Sequence, residues 1–315
     1  MSIHKFLKLV EIQTKVASMI PFLFGTVYAL FRFQQFNAYH FVLMLVSLLS
    51  FDMATTANNN YYDYRKAVKK HGYGYEVHNA IVQYDIKPSA VVAVIATLLT
   101  LAVGAGIALF LKVGLLLLLL GGLSFAVGIL YSFGPIPISR MPLGEIFSGL
   151  FMGFVIIYIS AYIHVGERFA SLTLAGGALV LEVQLVEVIL VFLVSIPAIL
   201  GIANIMLANN ICDMEEDIEN KRYTLPVYIG RSNAIILFKM LYYAAYLDLI
   251  VLCALRVHPV IVVLVLLTLL PVRKNMKRFA DQPTKQFTFG LSVQNFMLTN
   301  AARIVALGLA AVMML

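Results

Sequence analysis

"VILVFLVSIPAILGIANIMLANNICDMEEDIENKRYTLP", residues 188–226, joins a long apolar run to a cluster of charged residues. No charged side chain occurs from residue 188 to residue 212, and a helix of about 20 apolar residues is long enough to cross a bilayer. Of the 315 residues in the chain, 61% are hydrophobic and only 12% are charged, whereas soluble domains carry about 25% charged residues. The sequence therefore predicts an all-α, polytopic membrane protein.

Apolar runs of similar character recur along the whole chain, and we see no separate soluble domain. We predict one domain over residues 1–315, and we leave the stretch 170–183 unassigned because its pattern fits neither a span nor a plain loop. The nine predicted spans cover residues 16–34, 40–58, 88–111, 113–133, 144–165, 184–208, 232–254, 257–272 and 291–314.

The basic residues predict the orientation of the chain in the cell membrane. Most of the 23 Lys and Arg residues fall on one side if the N-terminus lies inside, and cytoplasmic loops carry the excess of basic residues in membrane proteins. The sequence thus predicts a cytoplasmic N-terminus, cytoplasmic polar loops and an external C-terminus. The net charge of +7 favours contact with anionic membrane lipid or an anionic substrate, and the chain has no basic run typical of a nucleic-acid-binding arm.

Three polar residues of the opening stretch, Asn209, Asp213 and Asp217, are spaced by four. Residues at this spacing share one face of a helix, so their oxygens repel each other unless a cation lies among them. Oxygen ligands suit Mg²⁺, which is often bound by one or two carboxylates together with substrate phosphates. The alternative is that these acids form a solvated helix end after a membrane span.

A second stripe of this kind follows the second span, where Asn59 and Asp63 are again four residues apart. Both stripes fall on the cytoplasmic side of the predicted topology, so together they predict a site that holds one diphosphate through Mg²⁺. The basic residues Lys66, Lys221 and Arg222 are placed to neutralise phosphate oxygens. The alternative for these three is that they anchor helix ends at the membrane surface.

These motifs resemble those of the UbiA superfamily of intramembrane prenyltransferases. The segment "YSFGPIPISRMPLGEIFSGLFMG", residues 131–153, and the segment "DIENKRYTLPVYIG", residues 217–230, are most similar to the 1,4-dihydroxy-2-naphthoate polyprenyltransferase (MenA) branch. The first predicted helix is also similar to the first helix of the family, and Lys15 stands at a position that is basic or polar there. The resemblance covers essentially the whole chain and implies about nine helices around a central cavity.

The resemblance implies a Mg²⁺-dependent transfer of a polyprenyl group from polyprenyl diphosphate to 1,4-dihydroxy-2-naphthoate, with loss of CO₂, to give demethylmenaquinone for menaquinone biosynthesis. It implies that the two stripes bind metal and that Arg140 or Lys15 orients the carboxylate of the acceptor. Aromatic side chains, with Tyr61, Tyr62 and Tyr131 as candidates, would shield the cation-like carbon from water, and an aromatic face favours positive charge.

The first motif departs from the family pattern. Asn60 stands where the family has an acid, Ala67 and Lys69 stand near the usual Gly and Asp, and His78 and Asn79 replace a glycine pair. We therefore expect less negative charge on the first half of the metal site. Two alternatives follow: a family member with another acceptor, such as 4-hydroxybenzoate or a tetrapyrrole, or a non-catalytic relative with a decayed first motif. The intact second motif argues against the non-catalytic relative.

Overall fold

A computed structural model describes residues 1–66, 79–132 and 137–313. The departures predicted at Ala67, Lys69 and His78 lie outside the described residues. The chain divides into two compact units, one formed by residues 1–19 and 38–114 and the other by residues 20–37 and 115–315. The single domain and the central cavity that the sequence predicted stay predictions.

The first unit consists of helices that pack on the long second-span helix. Its core contains Leu9, Ala57, Ile81 and Val91, all nearly inaccessible to solvent. A proline at the start of α5 favours that boundary, because its missing N–H is not needed in the first turn. The helices are α1 (Ile3–Leu9), the start of α2 (Val16–Phe33), α3 (Ala38–Lys66), α4 (Ala80–Gln83) and α5 (Pro88–Val113).

The second unit contains the rest of α2 and all later elements. One part of its core packs Leu207, Phe238, Tyr242 and Phe279 together. Its helices are α6 (Leu115–Ser132), α7 (Gly144–Ser148), α8 (Ile156–Val165), α9 (Leu185–Cys212), α10 (Met214–Glu219), α11 (Leu225–Ile229), α12 (Arg231–Ala244), α13 (Asp248–Ala254), α14 (Pro259–Leu267), α15 (Leu269–Asp281) and α16 (Gly290–Met313).

The all-α membrane fold predicted from the sequence is confirmed. Within the described ranges, eight helical stretches are long and apolar enough to cross a membrane, and a shorter apolar helix, Leu115–Tyr131, corresponds to the predicted fourth span. The predicted eighth span, 257–272, is longer in the structure, where the helical stretch continues to Asp281. Arg273, Lys274, Lys277 and Arg278 therefore lie on α15 and not in a loop.

The stretch 170–183, unassigned in the sequence, forms the one β-hairpin of the described residues. Strand β1 (Ala170–Ala175) pairs antiparallel with β2 (Ala178–Val183), and β2 is exposed along its length. Gly176 and Gly177 form the two-residue turn with φ of +58° and +82°, as a tight hairpin turn with two left-handed residues requires. Glu182 lies on β2.

A π-helix, Gly149–Val155, continues α7 toward α8 and packs tightly against α9. A Cβ atom on Gly153 would lie 2.5 Å from Cα of Ile199, and one on Gly149 would lie 2.7 Å from the Ile199 carbonyl oxygen. No ordinary side chain fits at either position. The two glycines therefore allow the backbone of the π-helix to approach the backbone of α9 directly.

An ion pair lies inside the second unit, between α13 and the last helix. The Arg303 guanidinium donates to both carboxylate oxygens of Asp248, each at 2.6 Å, and both side chains are almost completely buried. Arg303 also donates to the carbonyl oxygens of Thr299 and Ala245, and its guanidinium carbon lies 5.0 Å from the Tyr246 ring centroid. These contacts neutralise both buried charges, that of Arg303 and that of Asp248.

Candidate active site

The predicted stripe of the second motif crosses the junction between α9 and α10. Asp213 caps α9, yet its N–H donates to the Asn209 carbonyl at 3.0 Å and its own carbonyl accepts from the Asp217 N–H at 2.8 Å. Helical spacing is therefore kept through the junction. The Asn209 amide donates to Asp213 Oδ2 at 3.2 Å, so the side chains of the first two members lie together.

Asp217, the third member, is buried and has its own partners. Thr224 Oγ1 donates to Asp217 Oδ2 at 3.2 Å, and Nε of Arg222 lies 3.4 Å from Oδ1. Burial raises the pKa of the Asp217 carboxyl, whereas the Arg222 charge and the Thr224 hydrogen bond act in the opposite direction. The structure thus places Arg222, a predicted phosphate-binding residue, directly beside the predicted metal ligands.

The remaining acids of this cluster, Glu215, Glu216 and Glu219, are exposed. Glu215 pairs with Arg231 at 2.7 Å, which is a surface contact of small energetic value. Lys221 is also exposed and adopts a left-handed backbone conformation with φ of +54°. Its side chain extends from the turn that ends α10, next to Arg222.

Lys285 joins this cluster, although no motif pointed to it. Its ammonium donates to Asp213 Oδ2 at 2.5 Å and also to Asn209 Oδ1. Lys285 lies in the connection between α15 and α16, 72 positions from Asp213 along the chain. The sequence marked it only as one of many basic residues on the predicted cytoplasmic side.

Glu145 of the L-G-E segment is a second residue whose role the sequence missed. It is 4% exposed, and its Oε1 accepts a hydrogen bond from the Asn210 amide at 2.8 Å. Its Oε2 is buried and has no hydrogen-bond partner among the described residues. Because Asn210 is adjacent to Asn209, this bond ties α7 to the start of the metal motif.

Arg140 and Tyr131 flank the same segment. Arg140 is exposed at the end of a short 3₁₀ helix, Ile138–Arg140, and its carbonyl accepts from the Tyr223 N–H at 3.2 Å. The Tyr131 hydroxyl is buried and lies next to Gly144, where an added Cβ would be 3.6 Å away. Both predicted substrate residues therefore belong to the second unit, near the residues that follow the second motif.

The first motif lies on the last turns of α3. Asn59, Tyr62 and Asp63 are exposed, and α3 ends at Lys66. Asn60 has the opposite environment: it is buried, and its amide donates to the Leu9 carbonyl at 3.2 Å and to Glu11 Oε1 at 3.1 Å. Asn60 therefore joins α3 to the N-terminal segment. It does not share the exposed face of α3 that carries Asn59 and Asp63, so its lack of charge does not change that face.

Lys15 is buried and already surrounded by acceptors. Its ammonium donates to Asp52 Oδ1 and to Thr56 Oγ1, both at 2.6 Å, and to the Asp52 carbonyl at 3.2 Å. Ser18 Oγ donates to the other Asp52 oxygen at 2.5 Å. A lysine ammonium has three donors, so the predicted role of Lys15 toward an acceptor carboxylate requires release of one of these bonds.

The oxygen donors of the second motif fit Mg²⁺. Asn209 Oδ1 and Asp213 Oδ2 already converge on one positive charge, that of Lys285, and oxygen is the ligand atom that Mg²⁺ prefers. Within the described part of the chain, no group of three or more His, Cys, Asp or Glu side chains is placed to hold a metal. A metal here would need the Asn oxygen, water and phosphate oxygens as further ligands.

Known proteins with similar sequences are prenyltransferases. The model of the UbiA prenyltransferase family matches residues 18–295. A 1,4-dihydroxy-2-naphthoate octaprenyltransferase from Bacillus subtilis (strain 168) is 31% identical over 235 residues, which cover 75% of this chain and 69% of the relative.

Solved structures of two UbiA homologues share the fold at lower sequence identity. The apo homologue from Aeropyrum pernix K1 has a TM-score of 0.68 and 19% identity, and the match covers 93% of this chain and 98% of the homologue. The homologue from Archaeoglobus fulgidus bound to DMAPP and Mg²⁺ has a TM-score of 0.64 and 18% identity, with 99% and 100% covered.

Proposed function

This chain belongs to the UbiA prenyltransferase family, and we propose that it transfers a polyprenyl group from polyprenyl diphosphate to 1,4-dihydroxy-2-naphthoate, with loss of CO₂, to give demethylmenaquinone. The observation that supports this proposal most directly is the relative with that acceptor in its name, at 31% identity over three quarters of the chain. The cluster of Asn209, Asp213, Asp217 and Arg222 supports the chemistry, because it combines oxygen ligands with a cation for phosphate.

Mg²⁺, when bound, would stabilise the negative charge that grows on the departing diphosphate. We propose Asn209, Asp213 and Asp217 as its ligands in the second motif and Asn59 and Asp63 as its ligands in the first. Arg222, Lys221 and Lys66 neutralise phosphate oxygens in this proposal, and a guanidinium suits bidentate phosphate contacts.

The acceptor side of the proposal rests on Arg140 and the aromatic residues. Arg140 is exposed beside the segment that carries Arg222, so its guanidinium is available to orient a carboxylate, whereas Lys15 is held by Asp52. Tyr131 and Tyr62 are proposed to face the reacting carbon, where an aromatic ring favours developing positive charge. Attack by the electron-rich ring forms the new carbon–carbon bond, and CO₂ leaves its bonding electrons to the ring.

Product formation by the full chain in lipid nanodiscs tests this proposal. With Mg²⁺, geranylgeranyl diphosphate and 1,4-dihydroxy-2-naphthoate, we expect a prenylated, decarboxylated naphthoquinol by mass spectrometry. Asp213→Ala should reduce the rate by at least about 100-fold, because it removes a ligand of the metal ion that stabilises the leaving group. EDTA should abolish the reaction.

Glu216→Ala is the matched control, since Glu216 is an exposed acid off the stripe, and its rate should be close to that of the unmodified chain. Product from 4-hydroxybenzoate alone would contradict the proposed acceptor. Failure of both acceptors with normal diphosphate binding would favour the non-catalytic alternative.

The proposed orientation has a separate test. The described residues contain eight helices with the length and composition of membrane spans, and we propose that the N-terminus and polar loops are cytoplasmic, that the C-terminus is outside and that the apolar faces contact lipid. In a chain without its two native cysteines, Thr173→Cys on the hairpin should react with an impermeant maleimide in intact cells. Glu219→Cys should react only in inverted vesicles; the reverse pattern would contradict this orientation.

A further inference from the structure

The ammonium of Lys285 lies among the oxygens that the proposed function assigns to Mg²⁺. It bonds Asp213 Oδ2 at 2.5 Å and Asn209 Oδ1, so two of the three proposed ligands of the second motif already share one monovalent cation. These oxygens also lie near each other, because the Asn209 amide donates to Asp213. One set of oxygens cannot hold the ammonium and a divalent ion at the same time without strong repulsion between the two cations.

The connection that carries Lys285 is held in place by its own hydrogen bonds. Thr288 Oγ1 donates to the Gln282 carbonyl at 2.7 Å and accepts from the Thr284 N–H at 2.9 Å, while the Phe289 N–H donates to the Thr284 carbonyl at 3.0 Å. Lys285 Nζ also lies 5.4 Å from the Phe289 ring centroid. The backbone therefore presents the lysine at the motif, and its long side chain alone has freedom to move.

We propose that Lys285 is a tethered cation that competes with Mg²⁺ for Asn209 and Asp213 and moves onto the donor diphosphate once the metal binds. This inference rests on the metal site of the proposed function. The side chain is 37% exposed, so its ammonium can leave the motif without opening the core. A lysine ammonium binds phosphate as a point charge, so the diphosphate oxygens offer it a new partner of the same kind as the carboxylate it leaves.

Two consequences of opposite sign follow. Without diphosphate, removing the lysine charge should strengthen Mg²⁺ binding, because the metal no longer displaces a cation. With the metal in place, the same change should weaken diphosphate binding, because one positive partner is lost. A lysine that only stabilises the fold, or that only attracts anions, does not produce this pair of effects.

Calorimetric titration of the full chain in detergent measures both effects, first with Mg²⁺ alone and then with inorganic diphosphate at saturating Mg²⁺. For Lys285→Gln we expect the Kd of Mg²⁺ to fall about fivefold, as for loss of a partly exposed ion pair, and the Kd of diphosphate to rise about tenfold. Lys274→Gln, an exposed lysine on α15, removes the same charge elsewhere, and both constants should be unchanged.

An unchanged or higher Kd of Mg²⁺ in Lys285→Gln would overturn the competition, and an unchanged Kd of diphosphate would overturn the transfer to phosphate. Asp213→Ala separates this inference from the proposed function. If Asp213→Ala loses Mg²⁺ binding while Lys285→Gln has no effect, the metal site stands and the inference fails. If Asp213→Ala binds Mg²⁺ normally, both fail. Should Lys285→Gln not fold, Lys285→Met removes the charge from an unbranched side chain of similar length and must produce the same two shifts.

Discussion

At the scale of single residues, Asn59 and Asn60 are chain neighbours with opposite surroundings. Asn59 is exposed on the face of α3 that carries Asp63, whereas Asn60 is buried against Leu9 and Glu11. From the sequence, Asn60 looked like the missing acid of the first motif. Its donated hydrogen bonds show that this position needs an amide N–H, which a carboxylate cannot supply.

We therefore expect Asn60→Asp to destabilise the protein and not to improve metal binding. The substitution places a carboxylate against the Leu9 carbonyl and the Glu11 carboxylate, and leaving such buried groups unpaired costs about 1–3 kcal/mol. The thermal unfolding midpoint in detergent should fall. Asn59→Asp adds the same charge at an exposed position and should leave that midpoint nearly unchanged; equal midpoints for the two variants would disprove the structural role of Asn60.

The sequence predicted the site residues that share a short spacing and missed those that meet only in the fold. Asn209, Asp213 and Asp217 follow from a period of four. Lys285 is 72 positions from Asp213 and Glu145 is 65 positions from Asn210, and no local pattern encodes such partners. The L-G-E segment supported the resemblance, but its chemistry, a buried carboxylate that holds Asn210, required the three-dimensional structure.

At the scale of elements, the π-helix Gly149–Val155 packs its glycines against α9, the helix that carries Asn209. π-helical turns are rare and occur often at functional sites. An apolar sequence cannot reveal such a turn, because every face of the segment is hydrophobic and no period distinguishes it from an α-helix. The hairpin at 170–183 is different, because its Gly176–Gly177 pair between two short runs is a hairpin signal that our prediction missed.

Gly153→Ala should separate the π-helix from α9. Its Cβ would lie 2.5 Å from the Ile199 backbone, which cannot rotate away as a side chain does, and overpacking of this kind costs about 1–3 kcal/mol. We expect a lower thermal unfolding midpoint and reduced prenyl transfer, since α9 carries Asn209.

The matched control for that substitution is Gly122→Ala on α6, where an added Cβ meets nothing within 4 Å. Alanine favours a helix over glycine by up to about 1 kcal/mol, so the midpoint should stay level or rise. If both glycine variants lost stability equally, close approach to α9 would not be the cause.

At the scale of the whole molecule, the sequence predicted the fold class because apolar length is the dominant signal in a membrane protein. Among the described residues, eight of the nine predicted spans have counterparts long enough to cross a bilayer, and the predicted fourth span has a shorter one. The ends were less certain: the helical stretch after Pro259 continues to Asp281, because a helix can extend beyond the bilayer with polar residues that hydropathy reads as loop.

The Arg303–Asp248 pair has a consequence for how the chain is made. A single charged side chain at the centre of a membrane helix opposes insertion by about 2.5–3.5 kcal/mol. During synthesis, Asp248 leaves the ribosome well before its partner on the last helix. The carboxylate of Asp248 therefore has no ion-pair partner until the last helix supplies Arg303. A chain that stops short of α16 therefore keeps an unpaired carboxylate at Asp248.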